Sequence, residues 1–398
     1  MAVFGRHRVG QAMVLLALTM LSVALAWVVW VRDSDEPDFA PVTNQGARWR
    51  IAYYEGGPFY DYHAHLRALV GGLTRLGWME PLVLPNSGLS NDTRGFWTYL
   101  AEHTDSQYLE FVSDAYWSAG WDDTLRLESR AEAIQRFAVI GDIDLIIAMG
   151  TWAGLDLATN DHAVPTIIMS TSNAITADVI QSAEDSGYEH VHAWVDPDQY
   201  VRQARLFHDI IGFKKLGVVY ENTPDGWTYA NLDELTKVAG ERKFELILCD
   251  APDSGVSQEQ AYRGMYDCLE WLAPQIDAMW LSSGHRGMET ASLPGMLAPL
   301  FAYHVPSWSS QGAEQVARGA LISIARRDLS GLGLWSAKVV ARIFHGVKPR
   351  DIDQVFELPS AIAINLETAR RIGYDPPDGI LKAADIVYST IETRLEQP

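Results

Sequence analysis

The sequence of 398 residues contains only two cysteines, Cys249 and Cys268, and neither belongs to a CxxC motif or a Cys/His cluster. A structural zinc site, which needs four such ligands at close spacing, is therefore not expected. In an oxidising compartment the two cysteines could form a disulfide, and elsewhere they could be buried free thiols. The sequence leaves both alternatives open, and it predicts no metal ion or other cofactor.

Motifs of known catalytic chemistry are also missing. The chain has no Gly-x-Ser-x-Gly, HExxH or Gly-x-x-x-x-Gly-Lys-Ser/Thr sequence, and its 11 histidines are scattered along the chain. Those motifs form the nucleophile turn of a serine hydrolase, the zinc site of a metalloprotease and the phosphate-binding loop of a nucleoside triphosphatase, respectively. We therefore predict that the protein is not an enzyme.

Positive charge is scarce. The chain has 31 Lys and Arg residues against 51 Asp and Glu residues, which gives a net charge of −20. A surface of this sign repels phosphate, so we expect no binding to nucleic acid. A hydrophobic fraction of 48% and 14 Trp residues supply enough apolar area for a globular core and a binding cleft.

A long uncharged and mostly apolar run occurs once, at residues 13–31. Its length suits a helix that spans a bilayer. Arg6 and Arg8 precede the run and acidic residues follow Arg32, which predicts that the rest of the chain lies outside the cytoplasm. Ala24-Leu25-Ala26 resembles a signal-peptidase site, so cleavage and release of a soluble protein is the alternative.

After a polar linker at residues 33–48, short β-branched runs alternate with amphipathic stretches of helical period. This alternation predicts an α/β fold with parallel sheets flanked by helices. Two such series indicate two lobes. The expected division is lobe 1 at residues 49–175 with an insertion at 81–105, lobe 2 at 176–310, and a segment at 311–398 that crosses back and completes both lobes. The insertion is expected on the surface of lobe 1, where its aromatic patch at Phe96 and Trp97 could contact another protein. A last helix is expected at residues 380–391.

Ligands of open parallel sheets bind outside the carboxyl ends of the strands. We therefore expect ligand contacts in lobe 1 from Tyr54, Glu55, Thr151, Trp152, Ser170, Thr171 and Ser172, and on the other side of the cleft from Glu221, Asn222, Tyr229, Ser283, Ser310 and Asp328. Thr151 could bind a ligand carboxylate or cap the following helix. Trp152 could stack on the ligand or belong to the core. Glu221 could bind an amine or be a solvated loop carboxylate.

Several short motifs occur in the order found in one known family. They are Ala148-Met149-Gly150-Thr151, Gly346-Val347-Lys348-Pro349, Ile364-Asn365-Leu366-Glu367-Thr368-Ala369 and Ala384-Asp385-Ile386-Val387. From residue 49 onward, apart from 81–105, the chain resembles the ABC transporter substrate-binding proteins whose best-known members bind tryptophan or related aromatic solutes. The resemblance implies a type I periplasmic-binding-protein fold, in which two lobes joined by three crossing strands hold the ligand between them.

Two departures from the family pattern lie at the expected site. Trp152 stands where the family usually has proline after Gly-Thr, and Glu221-Asn222 replaces its usual Asn-Pro. The ligand can therefore differ from an aromatic amino acid. We expect an extracytoplasmic protein, anchored to a bacterial inner membrane or released into the periplasm, that binds an amino acid, a nucleobase or a similar small molecule. Its expected partner is an ABC permease. The alternative is a sensing or structural subunit that uses the same fold beside another inner-membrane protein.

Overall fold

The computed structural model describes residues 39–59, 61–83, 92–282, 284–288, 292–325, 329–357 and 361–392. The predicted membrane segment at residues 13–31 and the candidate site residues Ser283 and Asp328 lie outside these ranges. Within the ranges, no helix combines the length and the apolar composition needed to cross a membrane.

Lobe 1 is built on a five-stranded sheet in which every strand is parallel to its neighbours. In chain order its elements are β1 (Trp49–Glu55), α1 (Tyr62–Arg75), α2 (Thr93–His103), β2 (Leu109–Ser118), α3 (Asp123–Gln135), β3 (Leu145–Met149), α4 (Gly150–Leu157), β4 (Thr166–Met169) and β5 (Val191–Ala193). The strand order is β2-β1-β3-β4-β5. All five residues of β3 are buried, as expected of a central parallel strand covered by helices on both faces.

Two expectations about lobe 1 were wrong. Strand β5 pairs with β4, so lobe 1 continues beyond the expected boundary at residue 175. The aromatic patch of the insertion is not exposed, because Phe96 and Trp97 lie on the inner face of α2 and are fully buried. The indole N–H of Trp97 donates to the backbone oxygen of Val112 at 3.0 Å. Helix α2 therefore covers the edge strand β2 rather than offering a surface to another protein.

Lobe 2 is built on a seven-stranded sheet with the order β12-β11-β10-β9-β8-β6-β7. Its strands are β6 (Lys215–Tyr220), β7 (Glu245–Asp250), β8 (Ala278–Leu281), β9 (Ser307–Ser309), β10 (Ile322–Ala325), β11 (Ala361–Asn365) and β12 (Ala384–Tyr388). The sheet is mixed rather than wholly parallel, because β11 runs antiparallel to β10.

The helices that cover this sheet are α5 (Gln199–Ile211), α6 (Pro224–Tyr229), α7 (Leu232–Arg242), α8 (Gln258–Leu272), α9 (Leu293–Met296), α10 (Ala298–Ala302), α11 (Ala313–Ala317), α13 (Leu366–Arg371) and α14 (Asp378–Ala383). The expected final helix at residues 380–391 was wrong. Helix α14 ends at Ala383, and the β-branched residues after it form β12, which pairs with β11.

Helix α12 (Ser330–Phe344) returns from lobe 2 to lobe 1 and packs against α1 with almost no separation. A Cβ atom on Gly333 would lie 2.0 Å from the backbone oxygen of Ala68, and one on Gly72 would lie 2.2 Å from the backbone oxygen of Gly333. Glycine at both positions is therefore required by space. After α12, the Arg350 guanidinium pairs with Asp185 at 2.6 Å. Among the described elements, the chain therefore belongs to lobe 1 up to β5, to lobe 2 from α5 to β10, to the helix layer of lobe 1 in α12, and to lobe 2 again from β11.

The cysteines of lobe 2 are joined. Cys249 on β7 and Cys268 on α8 form a disulfide with their Cα atoms 5.7 Å apart. This decides between the two alternatives that the sequence left open. The bond links the edge strand of the seven-stranded sheet to the helix that covers it.

Candidate ligand cleft

The carboxyl ends of the strands of the two sheets approach each other, as the sequence predicts for a two-lobed binding protein. On the lobe 1 side, β3 and β4 end at Met149 and Met169; on the lobe 2 side, β6 ends at Tyr220. The amide group of Asn173, just after β4, donates to a carboxylate oxygen of Glu234 on α7 at 2.7 Å. This hydrogen bond joins the two lobes at the rim of the cleft.

Glu55 ends β1, but its carboxylate is turned into lobe 1 and is almost fully buried. Four hydroxyl groups donate to it at 2.8–2.9 Å, from Tyr53, Thr93, Tyr116 and Ser118. Burial, followed by the charge of Glu55, raises the pKa of Tyr53 and of Tyr116, so both phenols stay protonated and keep donating. The expectation that Glu55 faces the ligand does not match this geometry, because the carboxylate holds the lobe together from inside.

Tyr54 is also fully buried, contrary to its expected place at the cleft surface. Its hydroxyl donates to a carboxylate oxygen of Asp156 on α4 at 2.9 Å. Asp156 in turn accepts from Arg126 on α3, whose Nη2 lies 2.9 Å from Oδ1. Strand alternation correctly predicts that Tyr53 and Tyr54 point to opposite faces, but it cannot tell which internal partner each one finds.

Trp152, in the first turn of α4, forms the lobe 1 surface of the cleft together with two residues that the sequence did not indicate. The indole of Trp121 meets it edge to face at 5.4 Å between ring centroids. The Arg126 guanidinium lies over the Trp152 ring at 4.4 Å from its centroid. Trp152 is half-buried, and its contact with a ligand stays a prediction.

Thr151 lies inside the first turn of α4 and does not cap it. The N-cap residue is Met149, and no side chain bonds the free N–H groups of that turn. Gly150 has φ +87°, and a Cβ atom there would lie 1.7 Å from the Tyr62 hydroxyl oxygen. Glycine is therefore required by both backbone and space, and Tyr62 is a further cleft residue that sequence reasoning missed.

The three hydroxyl residues after β4 have different environments. Ser170 has φ +54° and its hydroxyl donates to Asp61 at 2.8 Å. Thr171 and Ser172 are half-buried. Of the three, Thr171 and Ser172 are therefore better placed than Ser170 to meet a ligand, and their contact with one stays a prediction.

On the lobe 2 side, most candidate residues form hydrogen bonds with neighbouring loops and strand ends of the same lobe. Glu221 accepts the backbone N–H of Asp253 at 3.0 Å, and the backbone N–H and hydroxyl of Ser254 at 2.7 and 2.8 Å. Burial opposes ionisation of Glu221, but these hydrogen bonds prevail and lower its pKa. Asn222 is exposed, and its backbone N–H donates to Asp250 at 3.0 Å. The Ser310 hydroxyl is buried and donates to the backbone oxygen of Leu281 at 3.1 Å.

Tyr229, at the end of α6, is close enough to lobe 1 for the charge of Arg126 to act on it. Burial and then Asp225 raise the pKa of its phenol, while the charge of Arg126 in the opposite lobe opposes the rise. A small cavity of about 10 Å³ lies beside it, lined in part by Glu221, Ser282 and His285.

A larger cavity of about 400 Å³ does not coincide with this cleft. It lies between α2, the first residues of β1 and the outer edge of β2. Its charged walls are neutralised internally, since Arg48 pairs with Glu110 at 2.7 Å and Arg50 pairs with Asp142 at 3.1 Å. We therefore place the candidate ligand site at the facing strand ends and not in this cavity.

Comparison with known proteins agrees with this architecture. The family described as ABC transporter substrate binding protein matches residues 125–388. Comparison with the sequences of curated proteins gives no match.

Among solved structures, a conserved domain protein from Vibrio cholerae O1 biovar El Tor is 18% identical, with a TM-score of 0.63, over 85% of this chain and 99% of that one. The ABC domain in complex with L-Trp from Streptococcus pneumoniae is 17% identical, with a TM-score of 0.62, over 86% and 100%. A ligand-free, open substrate-binding protein with adhesive properties from Clostridium difficile is 16% identical, with a TM-score of 0.57, over 86% and 100%. At such identities these structures show the same fold.

Proposed function

The chain belongs to the family of ABC transporter substrate-binding proteins, and from that premise we propose that it captures a small polar or aromatic solute between its lobes, outside the cytoplasm, and presents it to an ABC permease. The observation that carries the proposal is that Arg126, which lies over Trp152 in lobe 1, is close enough for its charge to act on Tyr229 in lobe 2. Sites for small molecules combine such aromatic walls with a few placed polar groups. Thr171 and Ser172 supply hydroxyls of that kind at the rim.

The proposed location rests on two features. The uncharged run at residues 13–31 suits a membrane anchor, and the disulfide between Cys249 and Cys268 suits an oxidising compartment. Together they support a domain held in the periplasm by an N-terminal helix. The rival role as a sensing or structural subunit relied partly on an exposed aromatic patch at Phe96 and Trp97, and the burial of both residues removes that support.

A thermal-shift screen of the full-length chain tests the proposal. The compounds are amino acids, nucleobases, vitamins and small carboxylates. A ligand present at a hundred times its dissociation constant stabilises the folded state by about 2.7 kcal/mol, which raises the melting temperature measurably. We expect at least one class to give such a rise.

The variant Trp152→Ala should abolish the shift because it removes the lobe 1 wall of the cleft. Trp271→Ala is the matched control, since this indole is 52% exposed on α8 and lies outside the proposed site. Silence across the whole library would contradict a solute-binding function.

A further inference from the structure

Arg126 is the feature of the cleft that the proposed function leaves unexplained. It lies on helix α3, whose other charged residues have the pattern of a solvent-exposed face. Its guanidinium, however, lies over Trp152, and its charge opposes the rise in the pKa of Tyr229 in the other lobe. Its side chain is 21% exposed, whereas the side chain of its partner Asp156 is 7% exposed. The ion pair therefore turns its positive end toward the cleft and its negative end toward the interior, where the Tyr54 hydroxyl completes it.

Asp156 accepts only some of the hydrogen bonds that the Arg126 guanidinium can donate. Its bonds to Asp156 use Nε, at 3.0 and 3.1 Å from the two carboxylate oxygens, and Nη2, at 2.9 Å. Nη1 has no acceptor among the residues that the structure describes. A guanidinium carries five N–H groups in one plane, so at least the two on Nη1 are available to a ligand oxygen. Stacking on Trp152 fixes the plane in which they point.

Arg126 differs in sign from the other charged groups that act on Tyr229. Asp225, Asp253 and Glu221 act on the phenol from lobe 2, and Arg126 is the cation that acts on it. An anionic group of a ligand would be repelled from the lobe 2 side of the cleft and attracted to Arg126. The electrostatics therefore orient an acid with its carboxylate toward lobe 1.

We propose that Arg126, held over the Trp152 ring and paired with Asp156, is the carboxylate-binding residue of the cleft, and that the solute is a planar acid. The carboxylate of the solute accepts hydrogen bonds from the free N–H groups of Arg126. Such bonds are strong because both partners are charged. The flat part of the solute lies against the stacked guanidinium and indole. This inference rests on the proposed function, because it assigns a residue and a ligand class to the same cleft.

The test uses matched probes that differ only in charge. Binding of indole-3-acetate, indole-3-acetamide and tryptamine, and of benzoate, benzamide and benzylamine, is measured by calorimetry and thermal shift on the full-length chain. We expect each acid to bind at least about tenfold more tightly than its amide, because a charged hydrogen bond is about twice as strong as a neutral one. The amines should bind most weakly of the three.

The variant is R126Q/D156N, which removes both charges of the pair so that no buried carboxylate is left alone. Acid binding should fall by about 10- to 100-fold, and amide binding should change little. Arg130→Gln is the matched control. It removes the same charge one turn along α3, where Arg130 pairs with Asp161 at 2.6 Å, and it should leave affinity unchanged. If R126Q/D156N does not fold, Arg126→Lys replaces it and should weaken acid binding by about tenfold, because lysine cannot donate two parallel bonds.

The outcomes separate the two proposals. Acids that bind equally well to R126Q/D156N, or amines that bind better than acids, would overturn the role of Arg126 while leaving a solute-binding function intact. If none of the six probes and no compound of the wider screen binds, both the proposed function and this inference are overturned.

Discussion

The two faces of the cleft are built differently. On lobe 1, Trp152 and Arg126 are partly exposed and stacked on each other. On lobe 2, Glu221 and Ser310 have their polar atoms bonded to nearby loop residues and backbone. Groups that already have partners cannot turn to a ligand without losing those bonds. From this difference we predict that lobe 1 recognises the solute, whereas lobe 2 supplies a preformed surface that closes over it.

This difference between the lobes assumes that the buried polar groups of lobe 1 stabilise the fold and do not bind the ligand. Glu55→Ala should remove about 3 kcal/mol or more from the free energy of unfolding, because four buried hydroxyls lose their acceptor. Denaturant unfolding of the full chain measures this loss. Glu110→Ala is the control, with an expected loss within about 1 kcal/mol, because its partners are exposed arginines. A loss for Glu55→Ala as small as that of the control would contradict the structural role of Glu55.

A second, smaller effect sharpens the account of lobe 2. At pH 7, Glu221→Gln should cost about 1–2 kcal/mol, because the ionised carboxylate holds the loop at Asp253 and Ser254. The folded-state pKa of Glu221 is lowered from 4.5, so this stability is present above pH 4.5 and is lost as the pH falls through the folded-state pKa. Unfolding of the wild type and the variant between pH 7 and pH 3 should therefore converge. A difference independent of pH would show that the carboxylate charge plays no part.

The smallest effect concerns the contact between the lobes. Asn173→Asp places a second carboxylate against Glu234 and removes the donor, which should shift the closure equilibrium toward open forms by about 0.5–1.5 kcal/mol. Burial raises the pKa of Glu234, whereas the hydrogen bond from Asn173 opposes that rise. Without that donor, the buried position favours the protonated acid, so the opening should grow as the pH rises through the raised pKa. The distance between spin labels on the two lobes reports the change.

The exchanged pair N173D/E234Q is the control for that measurement. It restores one donor and one acceptor in the reverse direction, and Asp at position 173 can still accept from the backbone N–H groups of Ile175 and Thr176. Closure should return to the wild-type level. If it does not, the hydrogen bond between the lobes is not what the single variant disturbs.

Much of the fold could be predicted from the sequence because local patterns determine it. The alternation of β-branched runs with amphipathic stretches correctly predicted parallel strands flanked by helices. The family resemblance was confirmed by the match at residues 125–388. The errors arose where tertiary contacts decide. Strand β5 is only three residues long and joins the first sheet by pairing with β4, which no local pattern indicates.

The site was harder to predict because position along a strand does not determine the partner of a side chain. Tyr54 and Glu55 do end β1, but internal hydroxyls and Asp156 hold their polar atoms. Arg126 was missed for the opposite reason. It stands among the charged residues of α3, and nothing in that sequence separates it from Arg130, which pairs at the surface with Asp161. Only the approach of α4 to α3 brings Arg126 over Trp152.

The contact between Gly72 on α1 and Gly333 on α12 has a consequence for the order of folding. Lobe 1 begins before lobe 2 in the chain, yet its helix layer is incomplete until α12 is synthesised, after five of the seven strands of lobe 2. Contacts between segments so distant in sequence form slowly, because the intervening chain must first be ordered. An emerging chain would therefore hold an unfinished lobe with α1 uncovered, a state that favours aggregation or chaperone binding. Lobe 1 is therefore not completed by one continuous stretch of the chain, but needs a helix that is synthesised after most of lobe 2.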